Sequence, residues 1–353
     1  MGGKMKKFLS VLLAGLMLAG CGTATSGEAP VASAIPEEAK EAVEQAVETA
    51  QQTAEDAGID VNAIVEGNVD LNIDLKILSP SGAPALSLVP AIVSGISVDF
   101  VEGADPLQAA LVNPNPEYDI IVAPSNLGMK LAETGKSPYK MLGIVTWGNL
   151  YIVGPKGTAA DASTWTNVAS FGEQSVTGKV FSEVYGDALD MSTVTWYNST
   201  ADASAALMAG NADVAMLAEP NATAVIAKAK ENGKELEIID DVQSHWGAGS
   251  GFPQAALFVR EDAYAEKKAD IDGLFAVMNL FSLAAGDLGE DVIVNVIEKA
   301  GGAEALGIPN AQIVAKVWKR LNIKVVKAAD HVEELKKFGE LFGIADAEAV
   351  IIK

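Results

Sequence analysis

Hydrophobic positions fall into three regimes along the chain. A continuous apolar run, Phe8–Leu18, stands first. A sparser stripe follows, in which Ala39, Ala42, Val43, Ala46, Val47, Ala50 and Ala54 recur at i, i+3, i+4 spacing. That period predicts a helix over 36–57, begun by Pro36 and two glutamates and stopped by Gly58. Its small residues bury little area, so it reads as a solvated stalk. From about Leu71 short apolar runs alternate with helical periods. Strands are predicted at 75–78, 97–101, 119–123, 142–153, 168–171, 194–197, 213–217, 236–239 and 255–259. The run 142–153 reads as one strand, or as two turning at Gly148-Asn149. Helices dominate after Glu261, at 270–286, 290–299, 311–320 and 331–342. Such alternation implies α/β layers on a mostly parallel sheet.

One junction type recurs. In Leu75–Gly95 a buried strand stops at Ser79-Pro80-Ser81-Gly82-Ala83-Pro84, and a helical pattern follows. Pro84 suits the first helical turn, and Pro90 kinks that helix or delays its start. The same strand–loop–helix order returns at Pro124-Ser125-Asn126, Gly172-Glu173-Gln174-Ser175, Asn198-Ser199-Thr200 and Ala218-Glu219-Pro220. Ser175 has the residue type of an N-cap for a helix over 176–185. Free N–H groups at helix starts point at whatever lies above such loops, and in open α/β sheets ligands bind outside the carboxyl ends of strands. Two of these loops precede residue 155 and three follow it, as expected of two lobes facing one cleft.

Composition narrows the reading. The chain has 353 residues, about half of them hydrophobic, enough for two lobes with a large core. Its formal net charge of −22 argues against nucleic-acid partners and anionic membrane surfaces. Lys4, Lys6 and Lys7 precede the first apolar run, which ends in Leu18-Ala19-Gly20-Cys21. This resembles a bacterial lipoprotein signal, with residues 1–20 removed and Cys21 lipidated. Cys21 is the sole cysteine, so no internal disulfide can form. No later stretch reads as a membrane span. The expected product is exported and lipid-anchored on the outer face of the cytoplasmic membrane, or on the periplasmic side where an outer membrane is present. Its lipidated tether and acidic helix would occupy 21–70.

Four stretches, taken in order, resemble one family. They are DIIVAPSNLGMKLAETGKSPYKMLGIVTWGNLYIVGP, ASFGEQSVTGKVFSEVYG, VTWYNSTADASAALMAGNADVAMLAEPNATAVI and GFPQAALFVRED. Over about residues 74–345 the order resembles solute-binding proteins of nitrate/sulfonate/taurine-type ABC importers. The resemblance implies a type II periplasmic-binding-protein fold of two α/β lobes that close on a ligand about two hinge crossovers. Lobe 1 would comprise 71–155 and 250–353, including the C-terminal helices, and lobe 2 would comprise 156–249. The crossovers are expected near Val153–Thr158 and Ser244–Pro253. Carried onto this sequence, the ligand-binding positions would be Ser79, Ser81, Gly82, Ala83, Ser125, Asn126, Trp147, Gly148, Asn149, Gly172, Gln174, Ser175, Val176, Asn198, Glu219 and Pro220. Trp147 would either stack on a flat ligand or pack at the hinge. Glu219 would either accept from a ligand N–H or brace the helix behind it.

The charge inventory bears on the ligand. Arg260 and Arg320 are the only arginines, and neither falls in a predicted cleft loop. A guanidinium clamp for sulfonate or carboxylate is therefore not expected. The ligand is expected to be a neutral or heteroaromatic small molecule, or a small anion held by helix N-termini. Enzyme chemistry finds little support: the two histidines, His245 and His331, belong to no recognisable motif, and no P-loop, G-x-S-x-G or H-E-x-x-H pattern occurs. The expectation is a monomeric, non-enzymatic receptor without metal or cofactor that delivers its ligand to an ABC permease. The alternatives are a sensor lipoprotein that does not transport, or an enzyme on the same fold.

Overall fold

A computed structural model describes residues 73–249 and 251–353, together with Glu48, Gln52 and Thr53, all three helical. The segments expected above to be a signal peptide over 1–20 and a lipidated tether with a helix over 21–70, Cys21 included, lie outside the described residues apart from those three.

The chain runs β1 (Lys76–Pro80), α1 (Ala83–Ser87), α2 (Val89–Val93), β2 (Ser97–Val101), α3 (Asp105–Leu111), β3 (Ile120–Pro124), α4 (Ser125–Glu133) and β4 (Tyr139–Thr146). It continues through β5 (Leu150–Pro155), β6 (Val168–Phe171), α5 (Val176–Tyr185), β7 (Val194–Tyr197), α6 (Thr200–Ala209), β8 (Val214–Ala218), α7 (Asn221–Glu231) and β9 (Leu236–Asp241). The last third holds β10 (Ala255–Arg260), α8 (Glu261–Glu266), α9 (Lys268–Leu288), α10 (Glu290–Lys299), α11 (Gly302–Ala305), α12 (Ala311–Val317), β11 (Ile323–Lys327) and α13 (Val332–Glu340).

These strands form two sheets, ordered β11-β4-β10-β3-β1-β2 and β7-β6-β8-β5-β9. In the first, β1 pairs parallel with β2 and β3. In the second, β6 pairs parallel with β7 and β8. Each sheet has one central antiparallel strand that has just arrived from the other lobe. It is β10 in the first, between β3 and β4, and β5 in the second, between β8 and β9. A strand that enters from the opposite lobe runs against the βα units already there. The molecule is therefore a two-lobe α/β protein with helices at its C-terminal end.

The first crossover differs from its predicted place. β5 pairs within the second sheet, so the chain changes lobes at Trp147–Asn149 and not at Val153–Thr158. The physical reason is burial. The run 142–153 is two strands that part at Gly148-Asn149, the second of the two readings given above. Both are interior strands covered on both faces, so hydropathy does not show that the chain changes lobes between them. Pro155–Thr158 is only the turn that ends β5, closed by Thr158 N–H to the Pro155 carbonyl at 3.1 Å. The return passes between Asp241 and Ala255. A second difference is β11, a short strand inside a region expected to be helical. It lies at the sheet edge against β4. Pro90 delays a helix start: α2 begins afresh at Val89, with Leu88 between it and α1.

Lys268–Leu288 is by length and apolarity long enough to cross a membrane, but two-thirds of it is buried within the fold. It carries Leu274, Phe275, Met278 and Phe281 into the cores on its side of the first sheet. Another core runs continuously from one lobe to the other. It passes through Trp147, Trp246, Phe252 and Phe338 at the crossovers and reaches Phe181 in lobe 2.

Candidate ligand-binding cleft

The cleft is built from strand ends and helix starts, as the repeated junction requires. In lobe 1, β1 ends at Pro80 and the chain turns at Gly82, whose φ of +89° is costly for any residue with a Cβ. The Gly82 N–H donates to the Leu306 carbonyl at 2.8 Å, which fixes the loop and sets Ala83 and Pro84 at the start of α1. β3 leads straight into α4, and the Ser125 N–H donates to the Gln254 carbonyl at 3.1 Å. That bond ties the start of α4 to the segment entering β10.

In lobe 2, β6 ends at Phe171 and the chain turns at Gly172, with φ of +66°. The Gly172 carbonyl then accepts from Ser175 N–H at 2.8 Å, Ser175 Oγ at 2.7 Å and Gly178 N–H at 3.1 Å. The Ser175 and Thr177 hydroxyls lie 2.8 Å apart and Thr177 Oγ1 lies 3.2 Å from the Phe171 carbonyl, so their two protons are shared between each other and the Phe171 and Gly172 carbonyls. Ser175 occupies the N-cap position of α5, but its side chain makes no cap bond. It serves the turn before the helix instead.

Between the lobes lies a cleft of about 570 Å³. Ala83, Asn126, Gln174, Ser175 and Val176, all singled out from the sequence, line it together. Sequence reasoning passed over Pro80, Pro84, Ala104, Pro124, Leu127, Thr146, Thr177, Gln254 and Ala255, which line it as well. Thr146 was detectable as the one aliphatic hydroxyl in the buried run of β4, and Gln254 as a lone polar residue before the apolar run of β10.

The lining carries no charged side chain. Both arginines are committed elsewhere: Arg260 to Asp119 and Asp262, Arg320 to Glu219. Proline, alanine, leucine and valine make most of the wall, and amides and hydroxyls supply the polar groups. Several of these are unpaired. Ser125 Oγ, Asn126 Oδ1, Thr146 Oγ1 and Gln254 Oε1 are buried without a hydrogen-bond partner. Ser125 and Thr146 are almost wholly inaccessible, at 0% and 1% exposed. Each unpaired buried polar atom costs about 1–3 kcal/mol, so three in one cleft lining, with Ser125 beside them in the chain, are a concentrated expense.

The other sequence-chosen residues, Ser125 and the turn glycines Gly82 and Gly172 among them, are not part of the cleft lining. Ser79 is buried with its hydroxyl on the Pro80 carbonyl at 3.0 Å. Ser81 sits against Gly307. Trp147, Gly148 and Asn149 form the first crossover. The Trp147 indole N–H donates to the Lys324 carbonyl at 3.0 Å and its ring meets His331 edge-on, so it packs at the hinge. Asn198 lines a separate open groove with Trp196, Tyr197 and Asp202 beside α6. Glu219 accepts from Thr223 N–H at 3.0 Å and Thr223 Oγ1 at 2.7 Å, which braces the start of α7. Pro220 follows it through a cis peptide bond.

No family model matches the chain, and no curated protein does. Solved structures do match. An ABC transporter protein of Parabacteroides distasonis is 19% identical, with a TM-score of 0.63 over 79% of this chain and 98% of that one. The fold is that of ABC-transporter solute-binding proteins. The periplasmic aliphatic sulphonate binding protein SsuA of Escherichia coli is 17% identical, with a TM-score of 0.58 over 79% and 92% of the two chains. The alkanesulfonate-binding SsuA of Xanthomonas axonopodis pv. citri, bound to MOPS, is 17% identical, with a TM-score of 0.52 over 78% and 96%. At these identities the likeness extends to the fold.

Proposed function

We propose that this chain is an extracytoplasmic solute-binding receptor, anchored by lipid at Cys21, that captures one small molecule between its lobes and delivers it to an ABC importer. The observation that carries the reading is the group of unpaired buried polar atoms in the cleft lining, Asn126 Oδ1, Thr146 Oγ1 and Gln254 Oε1, with Ser125 Oγ next in sequence to Asn126. Their cost is recovered when a ligand pairs with them in the closed form. The uncharged lining supports a ligand with a flat or compact apolar body and a neutral polar head, such as a heteroaromatic molecule. A small anion is the second candidate, because α4 and α5 both begin at the cleft with Asn126, Leu127, Val176 and Thr177 in their first turns. The sulfonates named for two proteins of like fold fit that second candidate, held without an arginine.

Native mass spectrometry of the full chain, purified from its host without exchange into ligand-free medium, tests the reading. The expected result is a one-to-one complex with a small molecule that leaves unchanged when the protein is denatured. Conversion of the bound molecule would make the chain an enzyme. Absence of any small molecule, in that preparation and after incubation with host metabolite extract, would overturn the receptor.

A further inference from the structure

The two lobes meet at a second place, away from the cleft. Between α12 and β11 the turn Trp318–Leu321 packs on lobe 1, with Trp318 edge-on to Phe281 of α9 at 5.7 Å. From that turn Arg320 reaches into lobe 2. Its Nε donates to Glu219 Oε1 at 2.8 Å, and its Nη2 donates to Thr223 Oγ1 at 2.8 Å. Its carbonyl accepts from the Tyr151 hydroxyl of β5 at 2.9 Å. Three lobe-2 side chains therefore grip one lobe-1 residue. Burial pushes the Tyr151 phenol above its ordinary pKa, so it stays a donor.

The grip is attached to the crossover itself. Glu219 N–H donates to the Asn149 carbonyl at 2.8 Å, and Asn149 Nδ2 donates back to the Glu219 carbonyl at 2.7 Å. On the other side Trp147 N–H donates to the Asn322 carbonyl at 2.9 Å, two residues from Arg320. The partners differ in environment: the Glu219 side chain is 0% exposed and that of Arg320 is 42% exposed. Among the described residues Arg320 is the only cation paired with Glu219. A lobe rotation that withdraws Arg320 would leave a carboxylate buried without its counter-charge, which is the costly way to break such a pair. The cost falls on the open arrangement, not on the one in which both lobes line the cleft.

We infer that Arg320 is a positioning residue that clasps lobe 2 through Glu219 and Thr223, holding the ligand-free protein near its closed arrangement and so raising its affinity for ligand. Affinity falls in proportion to the fraction of molecules already competent to bind, so a clasp that raises this fraction strengthens binding without touching the ligand. The effect on affinity rests on the receptor reading above; the clasp itself does not.

The test is made on the full chain without ligand. Arg320→Gln, Arg320→Lys and Glu219→Gln are compared with the wild type by small-angle scattering and amide hydrogen exchange. Glu219→Gln keeps a side chain of the same shape on Thr223 and needs no counter-charge, so it carries the test if Arg320→Gln folds poorly. The expected result is a larger radius of gyration in Arg320→Gln and Glu219→Gln. Exchange at 147–149 and 242–254 should be several-fold faster, with partial return in Arg320→Lys. A lower melting temperature with unchanged scattering and unchanged crossover exchange would reduce the cluster to a brace for α7 and overturn the clasp. Both readouts are ligand-free, so they stand whether or not mass spectrometry finds a bound solute.

Discussion

The lobes use the same strand–loop–helix device and finish it differently. Lobe 2 satisfies its cleft loop internally: the Gly172 carbonyl, Ser175, Thr177 and Gly178 bond to one another before any ligand is considered. Lobe 1 leaves Ser125, Asn126, Thr146 and Gln254 with buried polar atoms unpaired. The packing beneath follows the same division. Each cleft helix has a glycine in its first turn. A Cβ on Gly128 of α4 would fall 2.1 Å from Cζ of the buried Phe258 ring. A Cβ on Gly178 of α5 would fall 2.3 Å from the Gly172 carbonyl oxygen and 2.5 Å from the Glu173 Cα. Lobe 1 is thus a side-chain-packed wall with spare hydrogen-bonding capacity, and lobe 2 a backbone-tight wall with little. On the function proposed above, the ligand would take its hydrogen bonds mainly from lobe 1, with lobe 2 completing the enclosure.

The sharpest way to break the comparison is to put a methyl group under each helix. Gly128→Ala and Gly178→Ala should both destabilise strongly, by at least the 1–3 kcal/mol or so of ordinary overpacking. They should differ in rescue. Phe258→Leu shortens the obstacle facing Gly128 and should restore much of the melting temperature lost in Gly128→Ala. No side-chain substitution should restore Gly178→Ala, because its obstacle is main chain. Equal rescue in both lobes would contradict the division.

A milder comparison separates binding from stability. Thr146→Val and Ser125→Ala each remove an unpaired buried hydroxyl, so the ligand-free protein should keep or gain stability, by up to about 1 kcal/mol. Their affinity for the ligand recovered by mass spectrometry should fall several-fold or more. Ser175→Ala removes a hydroxyl that already has partners and should do the reverse: a loss of about 0.5–1.5 kcal/mol in stability with a smaller change in affinity. Calorimetry and titration on the same three proteins give both quantities. An affinity loss in Ser175→Ala larger than in Thr146→Val would make lobe 2 the principal binding wall.

How much of this was legible varies with how local the cause is. β2, β6, β7 and α5 have the ends that periodicity and turn residues predict, because each is set by its own residues. The break at Gly148-Asn149 was legible as one of two readings, but the change of lobe there was hidden, since two interior strands back to back make one apolar run. β11 was hidden because Ile-Lys-Val-Val-Lys acquires its strand identity only by pairing with β4. The cleft was half visible for the same reason. Loop residues after β3 and β6 announce themselves by turn chemistry, whereas Thr146 and Gln254 reach the cleft only because crossovers place strand ends there. The Arg320–Glu219 pair spans 101 positions with no local pattern around either residue, so nothing short of the fold brings it to notice.

The smallest expected effect concerns the far end of the lobe 1 cleft helix. Glu133, in the last turn of α4, accepts from Lys130 Nζ at 3.0 Å and from the backbone N–H groups of Ala345 and Asp346. These partners, Lys130 first, hold its carboxyl below the usual carboxylate range. A lowered native value stabilises the fold above the unfolded value, and that contribution is lost as pH falls toward the native one. The C-terminal segment 343–350 should therefore loosen from α4 in mild acid before either lobe unfolds. The lobe 2 helix α5 should keep its backbone protection there, since its last turn is capped by the Gly186 N–H on the Ser182 carbonyl and its carboxylate contact, Asp240, accepts from the Tyr185 hydroxyl at 2.8 Å and not from the main chain. Hydrogen exchange followed from neutral pH to below the carboxylate range, and corrected for intrinsic rates, should show protection lost at Ala345 and Asp346 and kept in 180–186. Glu133→Gln should abolish that pH dependence at a small cost in neutral-pH stability. Persistence of the loss in Glu133→Gln would assign it to another acid and remove this last asymmetry between the two cleft helices.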